Sequence, residues 1–216
     1  GQMHGVVDFY SRAQKAGVVL VIHDIRGMAD TPRAVGDQLA QDGFIAIVPD
    51  FLSGKGPNGG GTESLGTGVG QAIQGITADD FVARITAALE YGKKLPSANG
   101  KTGVVGFCWG GQKSLLSAIE IPTLNAAVVY YGDIPDFAKG PEAVTSHVSK
   151  IKAPVIGFYG GNDNRINSTL EVTSAAMKAA GKSYETHIFE GAGHGFMSGQ
   201  AGAGGANLKA AVASWP

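Results

Sequence analysis

The chain's single cysteine stands in Gly106-Phe107-Cys108-Trp109-Gly110, directly after the apolar run Thr102-Gly103-Val104-Val105. This G-x-C-x-G pattern describes a sharp turn from a buried strand into a helix that lifts one side chain clear of the backbone. Glycines flank it because bulkier side chains would strike the neighbouring strand and helix. The turn therefore demands a buried strand on one side and a packed helix on the other.

The rest of the chain repeats that alternation. Strands are predicted over residues 5–10, 18–22, 44–48, 102–107, 126–131, 155–159 and 184–189. The run at 18–22 is continuously apolar, the mark of a strand buried on both faces. Helices are predicted over 31–41, 77–94, 109–119, 142–150, 168–180 and 207–215. Thr31 is expected to cap the first, with Pro32 at its first position and Gly43 beyond its end. Thr77 and Asp80 form a capping-box pattern ahead of Val82, Ile85 and Leu89 at helical spacing. Of the chain's 34 glycines, nine fall in residues 54–75 and five in 195–205, stretches expected to be loops. Because the strand runs are too apolar to face water, the predicted class is α/β, a doubly wound, mostly parallel sheet with helices on both faces. No repeat or linker interrupts it, so one domain over residues 1–216 is expected.

Composition excludes several function classes. Hydrophobic residues make up 44% and charged residues 16%, as in globular chains. Lys+Arg 17 against Asp+Glu 18 leaves a net charge of −1 without a basic cluster, so neither nucleic acid nor an anionic membrane is an expected partner. One cysteine excludes an intrachain disulfide, and no Cys/His spacing suits zinc, so no metal is expected. The longest apolar stretches are strand-length, too short to span a membrane. The chain opens at Gly1-Gln2-Met3 without an export-type apolar stretch, so a signal was removed or never present. A cytoplasmic location is expected, with a processed periplasmic form as the alternative.

Two more polar segments follow predicted strands: Asp163 in Gly160-Gly161-Asn162-Asp163 and His194 in Gly191-Ala192-Gly193-His194-Gly195. Nucleophile, acid, histidine is the chain order of the α/β-hydrolase triad. In doubly wound sheets the site lies outside the carboxyl ends of the strands, where these segments fall. Cys108 would attack a carbonyl as the thiolate. Its ordinary pKa near ~8.5 calls for help, from the amino end of the helix opening at Trp109 and from His194 as base. Asp163 would orient the imidazole. The oxyanion hole is expected from the backbone N–H groups of Trp109 and Ile25. A lone cysteine is ordinarily a small buried apolar residue, but the elbow glycines and ordered partners favour catalysis.

Asp24 and Arg26, in His23-Asp24-Ile25-Arg26, read either as a solvated loop pair or as site groups, with Asp24 influencing the thiol. His23 is expected to be a packed strand-end residue, and His4, His147 and His187 to be surface residues. Tyr131 either lines the pocket or belongs to the core. Asn167-Ser168-Thr169 matches a glycosylation triplet of a kind common by chance. Gly66-x-Gly68-x-Gly70 lacks the dinucleotide-binding spacing.

Together, Val21-Ile22-His23-Asp24-Ile25-Arg26-Gly27, Val48-Pro49-Asp50, Gly106-Phe107-Cys108-Trp109-Gly110-Gly111, Tyr159-Gly160-Gly161-Asn162-Asp163 and Gly191-Ala192-Gly193-His194-Gly195-Phe196 resemble the dienelactone hydrolase family. The resemblance runs over residues 18–197. It implies an α/β-hydrolase fold without a large cap domain, a triad of Cys108, His194 and Asp163, and no metal or organic cofactor. It also implies hydrolysis of a small unsaturated lactone, carboxymethylenebutenolide, to maleylacetate. The family's type enzyme has a glutamate at the position of Asp24, where it takes part in thiolate formation. That enzyme holds the substrate carboxylate with arginines, one of them shortly after the catalytic histidine. Here Gly195-Phe196-Met197-Ser198 contains none, nor do residues 54–75. Arg26 is then expected either to bind the substrate anion or to neutralise Asp24. The expected activity is hydrolysis of a small lactone or carboxylic ester through a Cys108 thioester, by a monomer. The alternatives are an esterase for a different short acyl or aryl ester, and a noncatalytic hydrolase-like protein that binds ligands or senses redox through its thiol.

Overall fold

The structure, a computed structural model, describes residues 5–8 and 15–215. The expectations for Phe9 and Tyr10 as strand and for His4 as a surface residue lie outside the described residues. The chain divides into two units, Gly1–Val105 and Gly106–Pro216, described in turn.

In the first unit, β3 (Ile45–Pro49) pairs with β2 (Ala16–Ile22) in parallel and with β1 (Gly5–Asp8) antiparallel. Val19 stands opposite Ala46 and Gly5 opposite Pro49. Val18, Leu20, Val21 and Ile22 are fully buried and Ile45 to Val48 nearly so, as the continuous apolar runs require. Each large aliphatic side chain removed from water contributes about 1.5–3 kcal/mol to the core. The helix α1 (Asp30–Gln41) lays Val35, Leu39 and Ala40 inward. It begins two residues earlier than predicted: Ala29 holds the cap position, with no side-chain cap bond, and Thr31 lies inside the helix. Asp30 in the first turn complements the helix dipole, and Pro32 is still accommodated in a turn whose N–H groups have no helical partner.

Residues 54–75 are not wholly loop. They contain the short helices α2 (Thr62–Leu65) and α3 (Val69–Gln74), the latter burying Val69 and Ile73 at i, i+4 spacing. That apolar pair among glycines is the signal the loop expectation passed over. Asp50 ties the segment down, accepting from Thr62 N–H at 2.7 Å, Thr62 Oγ1 at 2.8 Å and Leu52 N–H at 2.9 Å. Helix α4 (Ala78–Lys93) starts as predicted, with Thr77 Oγ1 accepting from Asp80 N–H at 3.1 Å, and it buries Phe81, Ile85, Ala88 and Leu89. Strand β4 (Ala98–Phe107) then carries the chain out of the first unit.

In the second unit, β5 (Ala126–Tyr130), β6 (Val155–Gly160) and β7 (Tyr184–Phe189) pair in parallel, Val128 opposite Ile156 and Phe158 opposite His187. The helices are α5 (Trp109–Glu120), α6 (Pro141–Lys150), α7 (Asn164–Ala179) and α8 (Ala206–Ser214). Helix α7 opens four residues before its predicted start because Asp163 caps it. Strand β7 departs from the expectation that every strand is too apolar for water: residues 185–188 are exposed, Ile188 to 57%. Its Tyr-Glu-Thr-His-Ile-Phe pattern suits an edge strand wetted on its surface. Each unit thus carries parallel-paired strands alternating with helices, the mostly parallel α/β class the sequence predicts. No helix among the described residues is long and apolar enough to cross a membrane.

Candidate active site

Between β4 and α5 the backbone of Cys108 takes φ 57 and ψ −113, a region that non-glycine residues avoid. Such strain persists only where the surroundings over-determine it. Here Cys108 N–H donates to Tyr130 C=O at 3.0 Å, and Cys108 C=O accepts from Gln112 N–H at 3.1 Å. The glycines let the pieces close. A Cβ at Gly106 would lie 2.0 Å from Gly110 O, and one at Gly111 would lie 2.4 Å from Tyr130 O. Gly132, whose Cβ would lie 2.3 Å from Gln112 N, completes the packing from β5's end, a role the sequence did not reveal.

Asp163 follows β6 and is 6% exposed. Its Oδ1 accepts from Ile166 N–H at 3.4 Å, and its Oδ2 lies 2.5 Å from His194 Nδ1. The loops bearing these two residues are laced together. Asn162 N–H donates to Ala192 C=O at 2.9 Å and Asn162 Nδ2 to Gly191 C=O at 3.0 Å. Gly160 is needed here, since its Cβ would sit 2.6 Å from Ala192 O and Gly193 O.

The His194 side chain is bonded to Asp163 and interacts with the Cys108 side chain. The interaction with Cys108 is the chief cause holding the imidazole pKa above its usual value; burial opposes it, and the Asp163 bond adds to the rise. One imidazole therefore bonds a buried carboxylate and is influenced by the cysteine at a strained elbow. The dienelactone hydrolase family profile matches this chain over residues 4–216. The chain belongs to the dienelactone hydrolase family.

The relatives are consistent with this. A provisionally named carboxymethylenebutenolidase of Escherichia coli O157:H7 is 30% identical over 186 residues, covering 83% of this chain and 67% of the relative. The carboxymethylenebutenolidase of Pseudomonas putida is 28% identical over 187 residues, covering 84% of this chain and 75% of the relative. In structure, a provisional dienelactone hydrolase of Klebsiella pneumoniae subsp. pneumoniae MGH 78578 superposes with a TM-score of 0.80 at 23% identity, covering 99% of this chain and 89% of that one. That likeness bears on the fold alone, which is the α/β-hydrolase fold.

In this dienelactone hydrolase family member, Tyr131 turns out to be both core and site wall. It is 2% exposed, and its ring meets His194 edge to face at 5.1 Å and Phe196 at 5.1 Å. Its φ of 41 and its N–H bond to Phe158 C=O at 2.8 Å pin it at the end of β5. Trp109 opens α5 directly after the elbow, with the Lys113 ammonium 5.4 Å from its ring centroid. Burial pushes the Lys113 pKa down.

In the first unit, His23 is fully buried, as predicted: Nε2 accepts from Phe51 N–H at 3.1 Å and Nδ1 donates to Asp24 C=O at 2.9 Å. Asp24 accepts from Arg26 N–H at 2.8 Å and grips the Arg26 guanidinium with both oxygens. Of the two expectations for Arg26, neutralisation of Asp24 is the arrangement present in its loop. Ile25 is 55% exposed.

Three other sequence features resolve. Asn167 donates to Gly160 C=O at 2.9 Å and Gly161 C=O at 3.2 Å, a structural role in the acid loop. His187 is exposed as expected and pairs with Glu185 at 2.6 Å. His147 is partly exposed, its side chain at 18%, with Nε2 3.3 Å from Asp136 Oδ2. No group of three or more His, Cys, Asp or Glu suited to a metal occurs among the described residues.

Proposed function

We propose that this hydrolase opens a small lactone or carboxylic ester through a thioester on Cys108, with His194 and Asp163 completing the triad. The observation that carries the reading is the bond of His194 Nδ1 to the buried Asp163 carboxylate, with the Cys108 side chain at the strained elbow acting on the same imidazole. With Nδ1 held by Asp163, the other ring nitrogen is left to take the thiol proton. The Cys108 sulfur attacks the carbonyl carbon, the acyl C–O bond breaks, and imidazolium returns the proton to the leaving oxygen. His194 then takes a proton from water, hydroxide attacks the thioester carbon, and the C–S bond breaks to release the acid and regenerate the thiol. The amino end of α5 stabilises the sulfur anion, and the Trp109 N–H stabilises the developing oxyanion. A second oxyanion donor is assigned to the Ile25 N–H on the sequence motif alone.

An unsaturated lactone is the first substrate class, in keeping with the family and with the names of the relatives. A neutral short acyl or aryl ester is the second. It is favoured by the engagement of Arg26 with Asp24 and by the lack of arginine in residues 195–198 and 54–75. The test is turnover of cis- and trans-dienelactone and of a short p-nitrophenyl ester by wild type, Cys108→Ala and His194→Ala. Loss of turnover in both variants is expected, and the preferred substrate separates the two classes. Near-normal activity in either variant would sink the triad reading.

A further inference from the structure

The turn that carries His194 is held from outside by one side chain that the proposed chemistry does not use. Asn207 is the second residue of α8 and is 7% exposed. Its Oδ1 accepts from Gly193 N–H at 2.8 Å, and its Nδ2 donates to Gly199 C=O at 2.8 Å. The two bonds flank residues 194–198, so one amide clamps both ends of the turn. Amide polarity is matched at each end, and a flipped side chain would face donor with donor and acceptor with acceptor.

Within the clamp the turn is closed on itself. Gly195 C=O accepts from Ser198 N–H at 3.1 Å and Gly199 N–H at 2.9 Å, and Phe196 is fully buried against Tyr131 and Phe189. Asn162 fixes the preceding residues, 191 and 192, to the acid loop. Asn162 thus holds the histidine loop to Asp163, and Asn207 holds it to α8. Ser214, at the far end of α8, accepts the Tyr130 hydroxyl on its C=O at 2.8 Å, which anchors the helix to β5.

We infer that Asn207 is a positioning residue for His194, setting the imidazole between Cys108 and Asp163. This rests on the reading in which His194 serves Cys108. Displacing a reacting group by about 1 Å can cost roughly 100-fold in rate, so a clamp on the histidine turn acts on catalysis and not only on folding.

The experiment compares wild type, Asn207→Leu and Asn207→Asp for kcat and KM on the better substrate. It also follows the His194 imidazole titration by NMR, all below the melting temperature of each variant. Asn207→Leu removes both bonds. It is expected to lower kcat about 10- to 100-fold with KM changed far less, and to return the His194 titration toward its ordinary value as the interactions with Cys108 and Asp163 weaken. Asn207→Asp keeps the acceptor for Gly193 N–H and loses the donor to Gly199, and an intermediate kcat is expected. A lower melting temperature with wild-type kcat and wild-type His194 titration in Asn207→Leu would overturn the inference. If Asn207→Leu does not fold, Asn207→Asp decides it by the same criteria. Turnover retained in Cys108→Ala or His194→Ala overturns the parent reading instead, so the two failures are distinguishable.

Discussion

Asp163 holds two structures at once: one carboxylate oxygen lies 2.5 Å from His194 Nδ1, and the other accepts from Ile166 N–H at 3.4 Å at the start of α7. The carboxylate proposed to orient His194 and the helix cap are the same side chain. The two duties can be separated by substitution. Asp163→Asn retains a capping oxygen but presents the wrong partner to the imidazole. It is expected to lower kcat by roughly 10,000-fold, as loss of the orienting carboxylate does in other triads, with little change in stability. Asp163→Ala is expected to lose the same activity and also about 0.5–2 kcal/mol of stability. Steady-state kinetics and urea denaturation of both variants check this.

His194 should titrate above the usual histidine value of about 6.5. The interaction with Cys108 is the largest cause, so the midpoint should fall in Cys108→Ala, where only the Asp163 interactions oppose burial. The linkage sign follows from the raised value. Stabilisation from His194 is complete below the unfolded pKa and is lost as pH rises through the folded one. With a third of the side chain exposed, that contribution is small. NMR of the ring protons across pH provides the measurement, and a midpoint unmoved in Cys108→Ala would count against the cysteine–histidine interaction.

His23 behaves in the opposite sense. Burial lowers its pKa, against the Asp24 backbone bond and the nearby Asp50 and Asp24 carboxylates. Protonation would also place a proton on the nitrogen that accepts from Phe51 N–H. A lowered value means stability present above about pH 6.5 and lost as pH falls through the folded pKa. His23→Leu should remove this part of the acid slope while costing about 1–3 kcal/mol at neutral pH, because the buried Phe51 N–H loses its acceptor. Denaturation curves at several pH values test both parts.

Gly106 and Gly111 have no room for a Cβ. Gly106→Ala places one 2.0 Å from Gly110 O, so strand and helix must separate. A loss of about 1–3 kcal/mol is expected, in the range for overpacked sites, together with a reduced kcat as Cys108 shifts. Gly111→Ala, at 2.4 Å from Tyr130 O, should act in the same direction. Thermal denaturation alongside kinetics distinguishes a displaced elbow from a merely weakened fold.

Local pattern was enough for much of this molecule. The apolar runs of β2 and β3 have to be buried strands because their side chains leave no wet face. Thr77 caps α4 because its hydroxyl lies three residues from an N–H it can reach. The glycines around Cys108 announce the elbow because close backbone approach admits no other residue. The segments bearing Asp163 and His194 were legible as polar residues at strand ends, in triad order.

What the sequence could not reveal depends on partners distant along the chain. Asp163 and His194 are 31 residues apart, and their bond exists only because parallel β6 and β7 bring the ends of both strands to one edge. The start of α7 lies four residues before its predicted position for a related reason: Asp163 caps the helix as well as holding His194. The α1 cap, the helical turns within residues 54–75 and the wet face of β7 were decided by packing, which outweighs local propensity. Asn207 carries no mark in the sequence beyond opening a short helix. Its role appears only once α8 lies against the His194 turn, with the amide meeting Gly193 and Gly199. Composition and periodicity thus determined which segments are strands, helices and elbow, because those depend on neighbours a few residues away. Tertiary structure alone decided which side chains meet across loops, because a hydrogen bond requires positions set by the whole fold.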